Sequence, residues 1–296
     1  MTDPSTIPGG FRDYVRRDVP DGGLLEFEFA PAGYLTKAGE VRRSDWRAYQ
    51  YTPPGGKRTR MTSVTTLLAA IIPKGGLPIW AEARGIEGAV AAVRRGLINP
   101  ADETQNFVDV VRANRLGADR ARDDASNRGV SVHALLEAWV LAGTPPSPQD
   151  FTQEDRGYVQ ALSRWILDAN PEPVEVEQIV VSPADGYAGR VDLKARIDGK
   201  LGTVDLKTAV KGATYASVHL QMGMYARADE ACGGEPSEFK RAVILSPDGS
   251  FREQDCMADD RAIDTALAYY AMLGPIDRAC QNANRAERET REAVAA

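Results

Sequence analysis

Asp192, Asp205 and Lys207 are the residues whose types and spacing can do chemistry together. They lie on two runs, Tyr187 to Ile197 and Lys200 to Lys207, that alternate apolar and polar residues around Asp198-Gly199, a dipeptide favouring a two-residue turn with positive φ. If those two residues make the whole turn, Ile197 faces Lys200, and the same register carried outward sets Asp192 opposite Asp205 and Arg190 opposite Lys207. Directly opposed side chains stand about 4.5–5.5 Å apart at Cβ, and like charges there repel, so something positive belongs between the two carboxylates. Val191, Leu193, Ala195 and Ile197 would line a packed face with Val204 and Leu206, leaving Asp192, Asp205 and Lys207 on the other face. Two converging carboxylates are hard ligands for Mg²⁺ or Mn²⁺, and a neighbouring ammonium can stabilise a phosphate or help activate water. Phosphodiester hydrolysis fits that set. The same alternation also describes a solvated hairpin whose charges do nothing, so the surroundings have to decide.

The elements around the hairpin bring further polar residues. Val132, Leu135, Leu136, Trp139 and Val140 repeat with helical spacing from about Asn127, with Ser126 or Asn127 as cap and Gly143 as stop, and put His133 and Glu137 on one face. Thr152 with Asp155 opens a second helix, with Val159, Leu162, Trp165 and Ile166 inward, that ends before Pro171. Glu177 sits on a strand, Val174 to Val181, that precedes the hairpin. A helix at about Thr214 to Glu230 carries Gln221 and Tyr225 one turn apart. A strand at Phe239 to Ser246, a turn, a short strand from Phe251 and a helix over Asp259 to Met272 follow. The pattern implies an α/β fold, a central mixed sheet flanked by helices. Residues 1–60 read as a β-rich accessory arm with strands at Leu24 to Phe29 and Trp46 to Tyr51 and basic pieces at Lys37 to Arg47 and Lys57 to Arg60. Residues 61–275 read as the core, with the catalytic segment at 127–230, and residues 276–296 as a charged, frayed helical tail. Helices are also expected over Val64 to Ile72, capped by Thr62 or Ser63, and over Pro78 to Gly96.

Composition narrows the class. With 43% hydrophobic and 26% charged residues in 296, the chain can bury a large core. A net charge of -6 argues against a protein that coats nucleic acid nonspecifically. Three widely spaced cysteines, Cys232, Cys256 and Cys280, match neither a disulfide framework nor a zinc or iron–sulfur spacing and read as free thiols. The absence of a long apolar run or an N-terminal signal implies a cytoplasmic protein with no membrane contact.

These residues together resemble the PD-(D/E)XK nuclease superfamily, and within it the RecB-type exonuclease branch, which includes CRISPR-associated RecB-like nucleases and many phage exonucleases. The matching pieces run in the family's order: Arg128-Gly129 to His133 and Glu137, Glu177, Gly189-Arg190-Val191-Asp192, Val204-Asp205-Leu206-Lys207-Thr208, and Gln221 to Tyr225. More weakly, Ser63-Val64-Thr65-Thr66-Leu67 and Trp80 look like the family's N-terminal helices. The resemblance implies a restriction-endonuclease-like core and a metal-dependent DNA exonuclease of phage or bacterial recombination, repair or DNA processing. It makes Asp192, Asp205 and Lys207 catalytic, with His133, Asp192, Asp205 and the Leu206 carbonyl as ligands of Mg²⁺ or Mn²⁺. Glu137 and Glu177 are accessory candidates, each also readable as a surface or salt-bridged carboxylate. Arg190 would contact substrate or be a surface cation, and Gln221 and Tyr225 would face the substrate strand or brace the site. DNA is the implied partner, with a recombinase or single-strand annealing protein and an oligomeric state as further expectations. The iron–sulfur members need four cysteines, so no cluster is expected here. Rival readings are an endonuclease, a DNA-binding recombination partner without chemistry, and an enzyme acting on a small phosphorylated molecule.

Overall fold

A computed structural model describes residues 13–30, 46–72, 77–209 and 215–295. Most of the basic run Lys37 to Arg47 and the side chains of Arg128, Gly129 and the end of the C-terminal tail lie outside what is described. Four strands open the chain, β1 (Asp13–Asp18), β2 (Leu24–Ala30), β3 (Trp46–Thr52) and β4 (Thr59–Ser63). Helices α1 (Val64–Ile71), α2 (Leu77–Arg94), α3 (Thr104–Ala113), α4 (Ala118–Ala142) and α5 (Gln153–Ala169) follow. Then come β5 (Glu172–Ser182), β6 (Tyr187–Ile197), β7 (Lys200–Thr208), α6 (Ala216–Ala231), β8 (Phe239–Leu245), β9 (Phe251–Asp255) and α7 (Asp260–Ala295).

The described strands form one mixed nine-stranded sheet in the order β1-β2-β3-β4-β6-β7-β8-β9, with β5 paired to β6. The strands of the first 60 residues are therefore hydrogen-bonded into the same sheet as the hairpin, through a parallel β4–β6 pair that sets Thr62 beside Tyr187. Local signals place several ends. Ser63 caps α1 by accepting from the Thr66 N–H, and Thr152 caps α5 by accepting from Asp155. Such caps satisfy donors that the first helical turn leaves open, worth about 1 kcal/mol each. Asp198 and Gly199 turn β6 into β7 with φ of +52° and +75°, as their types require.

Two differences from the sequence reading have physical causes. Helix α4 starts at Ala118 with Gly117 as N-cap, so Ser126 and Asn127 are interior residues rather than caps. The polar residues before Val132 carry no apolar stripe, which hid those turns; α3, not expected from the sequence, packs Phe107, Val110 and Val111 against α2. The second difference is that both faces of the hairpin are covered. On one face Leu193, Ala195, Ile197, Val204 and Leu206 pack against Val132, Leu136 and Trp139 of α4 and Leu162, Trp165 and Ile166 of α5. On the other face α6 packs Val218 and Met222 against Ala242 and Ile244, so Asp192, Lys194, Thr203 and Asp205 are buried polar groups. A polar face that alternation marks as exposed thus lies under a helix, and its charges need partners. Lys194 finds Asp229 of α6 and the Glu235 carbonyl, the latter at 2.7 Å.

Candidate active site

The chemistry gathers where β6 and β7 part. Their ladder runs from Ile197–Lys200 to Leu193–Val204 and ends there, while β6 stays paired to β5 and β7 to β8 beyond that point. Asp192 and Asp205 are consequently not a directly opposed ladder pair, and Arg190 does not face Lys207. Instead the Asp192 side chain fills the gap, and its Oδ2 accepts from the Leu206 N–H at 2.8 Å. The expected like-charge clash is relieved by strand divergence, a backbone donor and Lys207. In an extended strand a residue's N–H and C=O project to the same edge. The Leu206 carbonyl therefore opens onto the same gap.

Helix α4 and strand β5 complete the cluster. His133 Nδ1 lies 3.0 Å from Glu177 Oε1 and 3.4 Å from Asp192 Oδ1. One ligand atom from each of His133, Glu177 and Asp192 lies within 4.8 Å of the other two. Glu177 owes its position to an unusual backbone: its φ is +51° in mid-strand, and the β5–β6 register skips it between Val176–Leu193 and Gln178–Val191. A non-glycine residue held there costs of order 1–3 kcal/mol, and such strain concentrates at functional sites. Arg190 fixes the far oxygen of Glu177 at 2.8 Å and stacks its guanidinium 5.4 Å above the Phe27 ring.

Asp205 is held from two sides. Its Oδ1 accepts from Gln221 Nε2 at 3.0 Å, and the same amide reaches the Tyr225 hydroxyl at 3.1 Å. Its Oδ2 is 2.5 Å from Lys207 Nζ, yet it has no well-directed hydrogen bond among the described residues and is closed to solvent. Tyr225 can lie this close because residue 189 is glycine: a Cβ there would sit 2.4 Å from Tyr225 Cε1. Gln221 and Tyr225 thus brace Asp205. Glu137 is exposed on α4, one turn beyond His133, and no described contact brings it to the cluster.

The protonation states follow from this packing. Burial pushes Asp205 up to about 6, Asp192 adding to the rise while Lys207 opposes it. Burial also raises Asp192, against His133 and Lys207. His133 would be lowered by burial, but Asp192 and Glu177 outweigh it and lift the imidazole to about 9. Lys207 is raised too, because Asp205 and Asp192 overcome its desolvation. The metal-free site therefore sets three cations, His133, Lys207 and Arg190, against the carboxylates of Glu177, Asp192 and Asp205. The mixed oxygen–nitrogen donor set of His133, Glu177 and Asp192 fits a divalent cation.

One neighbour escaped the sequence reading. Tyr49 of β3 is buried, and Arg190, Glu177 and Asp192 all act electrostatically on its hydroxyl, whose pKa burial lifts to about 12. No local pattern ties the Trp46 to Tyr51 run to the hairpin; only the β3–β4–β6 pairing brings it there.

No family model matches the chain, and no curated protein matches it. Among solved structures it is similar to an alkaline exonuclease (LHK-Exo) from Laribacter hongkongensis, at 16% identity and a TM-score of 0.29, covering 72% of this chain and 99% of that one. It is also similar to SSO0001, at 20% identity and a TM-score of 0.27, covering 40% of this chain and 57% of that one. At these scores the likenesses carry no argument about activity, so the functional reading rests on the site. No described helix is long and apolar enough to cross a membrane.

Proposed function

We propose that this protein is a metal-dependent deoxyribonuclease, acting as an exonuclease, with its active site at the parting of β6 and β7. The observation that carries the reading is the set of half-buried His133 and Glu177 and buried Asp192 within ligand distance of one another, beside the Asp205–Lys207 ion pair. His133, Glu177 and Asp192 would hold Mg²⁺ or Mn²⁺, with Asp205 and the Leu206 carbonyl adjoining, and the imidazole favours Mn²⁺ more than an all-oxygen site would. When bound, the ion would lower the pKa of a coordinated water and polarise the phosphate. Lys207, anchored by Asp205, orients the attacking water or offsets charge developing on the phosphate. Gln221 and Tyr225 keep Asp205 from turning away, and Arg190 does the same for Glu177. The exonuclease mode and the RecB-type branch are what the resemblance of the motifs implies.

End-labelled linear and closed circular DNA, single- and double-stranded, incubated with Mg²⁺, Mn²⁺ or EDTA, test the reading. Metal-dependent loss of linear DNA alone, abolished by Asp205→Ala and Lys207→Ala, is the expected result. Cutting of circles would replace the exonuclease by an endonuclease. DNA binding without cleavage under any metal would overturn the catalytic reading.

A further inference from the structure

Tyr49 carries a polar atom that the fold does not use. Its ring packs against Phe27 with centroids 4.8 Å apart, and the residue is 8% exposed. A phenylalanine would fill that space equally well. Its hydroxyl makes no hydrogen bond among the described residues, whereas the buried Tyr187 hydroxyl donates to the Met224 carbonyl and Tyr225 is reached by Gln221. The hydroxyl is not closed to solvent, and Tyr49 borders a cleft, so this atom is free to take a partner from outside the chain.

The surroundings say what kind. Tyr49 lines a cleft of about 570 Å³ whose walls include Arg47, Arg60, Ser63, Thr66 and Tyr270, a lining of cations and hydroxyls without a carboxylate. The phenol also feels the charges of Arg190, Glu177 and Asp192. It therefore borders a groove suited to a polyanion and lies within electrostatic reach of the place where cleavage is proposed. A protonated phenol can donate to an anionic oxygen there.

We infer that the Tyr49 hydroxyl donates a hydrogen bond to a phosphate oxygen of the DNA strand as it passes from this cleft to the carboxylate cluster, positioning the strand for cleavage. The inference rests on the nuclease reading above. It assigns a substrate-contacting role to a residue of the N-terminal β-strands, which the hairpin motif alone does not reach.

The test compares wild type with Tyr49→Phe on end-labelled DNA in Mn²⁺, using substrates in which one neutral methylphosphonate is stepped along the strand. Loss of one hydrogen bond to a charged group should lower kcat/KM by about tenfold or more while the melting temperature stays unchanged. At the contacted position, methylphosphonate should cost wild type a similar factor and add little to the Tyr49→Phe loss. Full activity in Tyr49→Phe would overturn the inference, as would losses that simply multiply at every methylphosphonate position. A wild type that cuts no DNA overturns the nuclease reading itself; a wild type that cuts as fast as Tyr49→Phe overturns only the role of Tyr49.

Discussion

The two ends of the β6–β7 hairpin are built from the same alternating sequence and behave oppositely. At the turn end, Leu193–Val204 to Ile197–Lys200 pair in strict register, and Asp198-Gly199 supplies the φ values that the tight turn needs. At the open end the strands part, Asp192 inserts its carboxylate against the Leu206 N–H, and helices α4 and α6 deliver His133 and Gln221. Local chemistry specifies the first end. The second exists only because outside elements hold it open, and there the chain tolerates buried charge and a strained Glu177. Stability should therefore respond to changes at both ends, but activity only at the open one.

The largest effect is expected from Lys207→Ala, which removes the ammonium from Asp205 and should lower turnover by roughly 100-fold or more while DNA binding persists. Single-turnover cleavage beside a binding assay checks it; cleavage near the wild-type rate would place the chemistry elsewhere. Next comes Gly189→Ala, whose methyl would overlap the Tyr225 ring and push it off Gln221 and Asp205. A loss of about 1–3 kcal/mol in stability is expected together with a fall in kcat. Denaturant unfolding and kinetics should move together, and an unaltered kcat would show that Tyr225 does not brace the site. The matching change at the turn, Gly199→Ala, forces an L residue to φ +75° and should cost about 1 kcal/mol with kcat unchanged. A drop in its kcat would break the contrast between the two ends.

The smallest effect is a pH dependence. His133 is raised in the fold to about 9, so its contribution to stability is fully present below its unfolded pKa of about 6.5 and fades as pH rises through 9. The melting temperature of EDTA-treated protein should accordingly fall between pH 6.5 and 9, and His133→Ala should flatten that slope. Added Mn²⁺ should act in the opposite sense, stabilising more as pH rises and releasing protons when bound below pH 9, because a ligating imidazole must be neutral. Calorimetry in buffers of different ionisation enthalpy reads that proton count directly; no release at pH 7 would remove His133 from the ligand set.

Much of this was legible in the residues because alternation, turn chemistry and caps act over a few positions. The strand ranges of β2, β3, β6 and β7, the Asp198-Gly199 turn and the Ser63 and Thr152 caps all follow from neighbouring side chains. The types and order of His133, Asp192, Asp205 and Lys207 likewise suggested a metal-bound phosphodiester chemistry. Tertiary structure alone decided the rest. Alternation cannot tell a solvated face from one lying under a helix, so the burial of Asp192, Lys194 and Asp205 depended on where α6 docks. Register counting cannot see where a ladder stops, because each strand was kept by its other partner, β5 or β8. The φ of Glu177, which turns its carboxylate to His133, and the approach of Tyr49 across three strands are long-range outcomes of packing. The sequence determined which groups were available for chemistry, and the packing of α4, α6 and the N-terminal strands decided which of them meet.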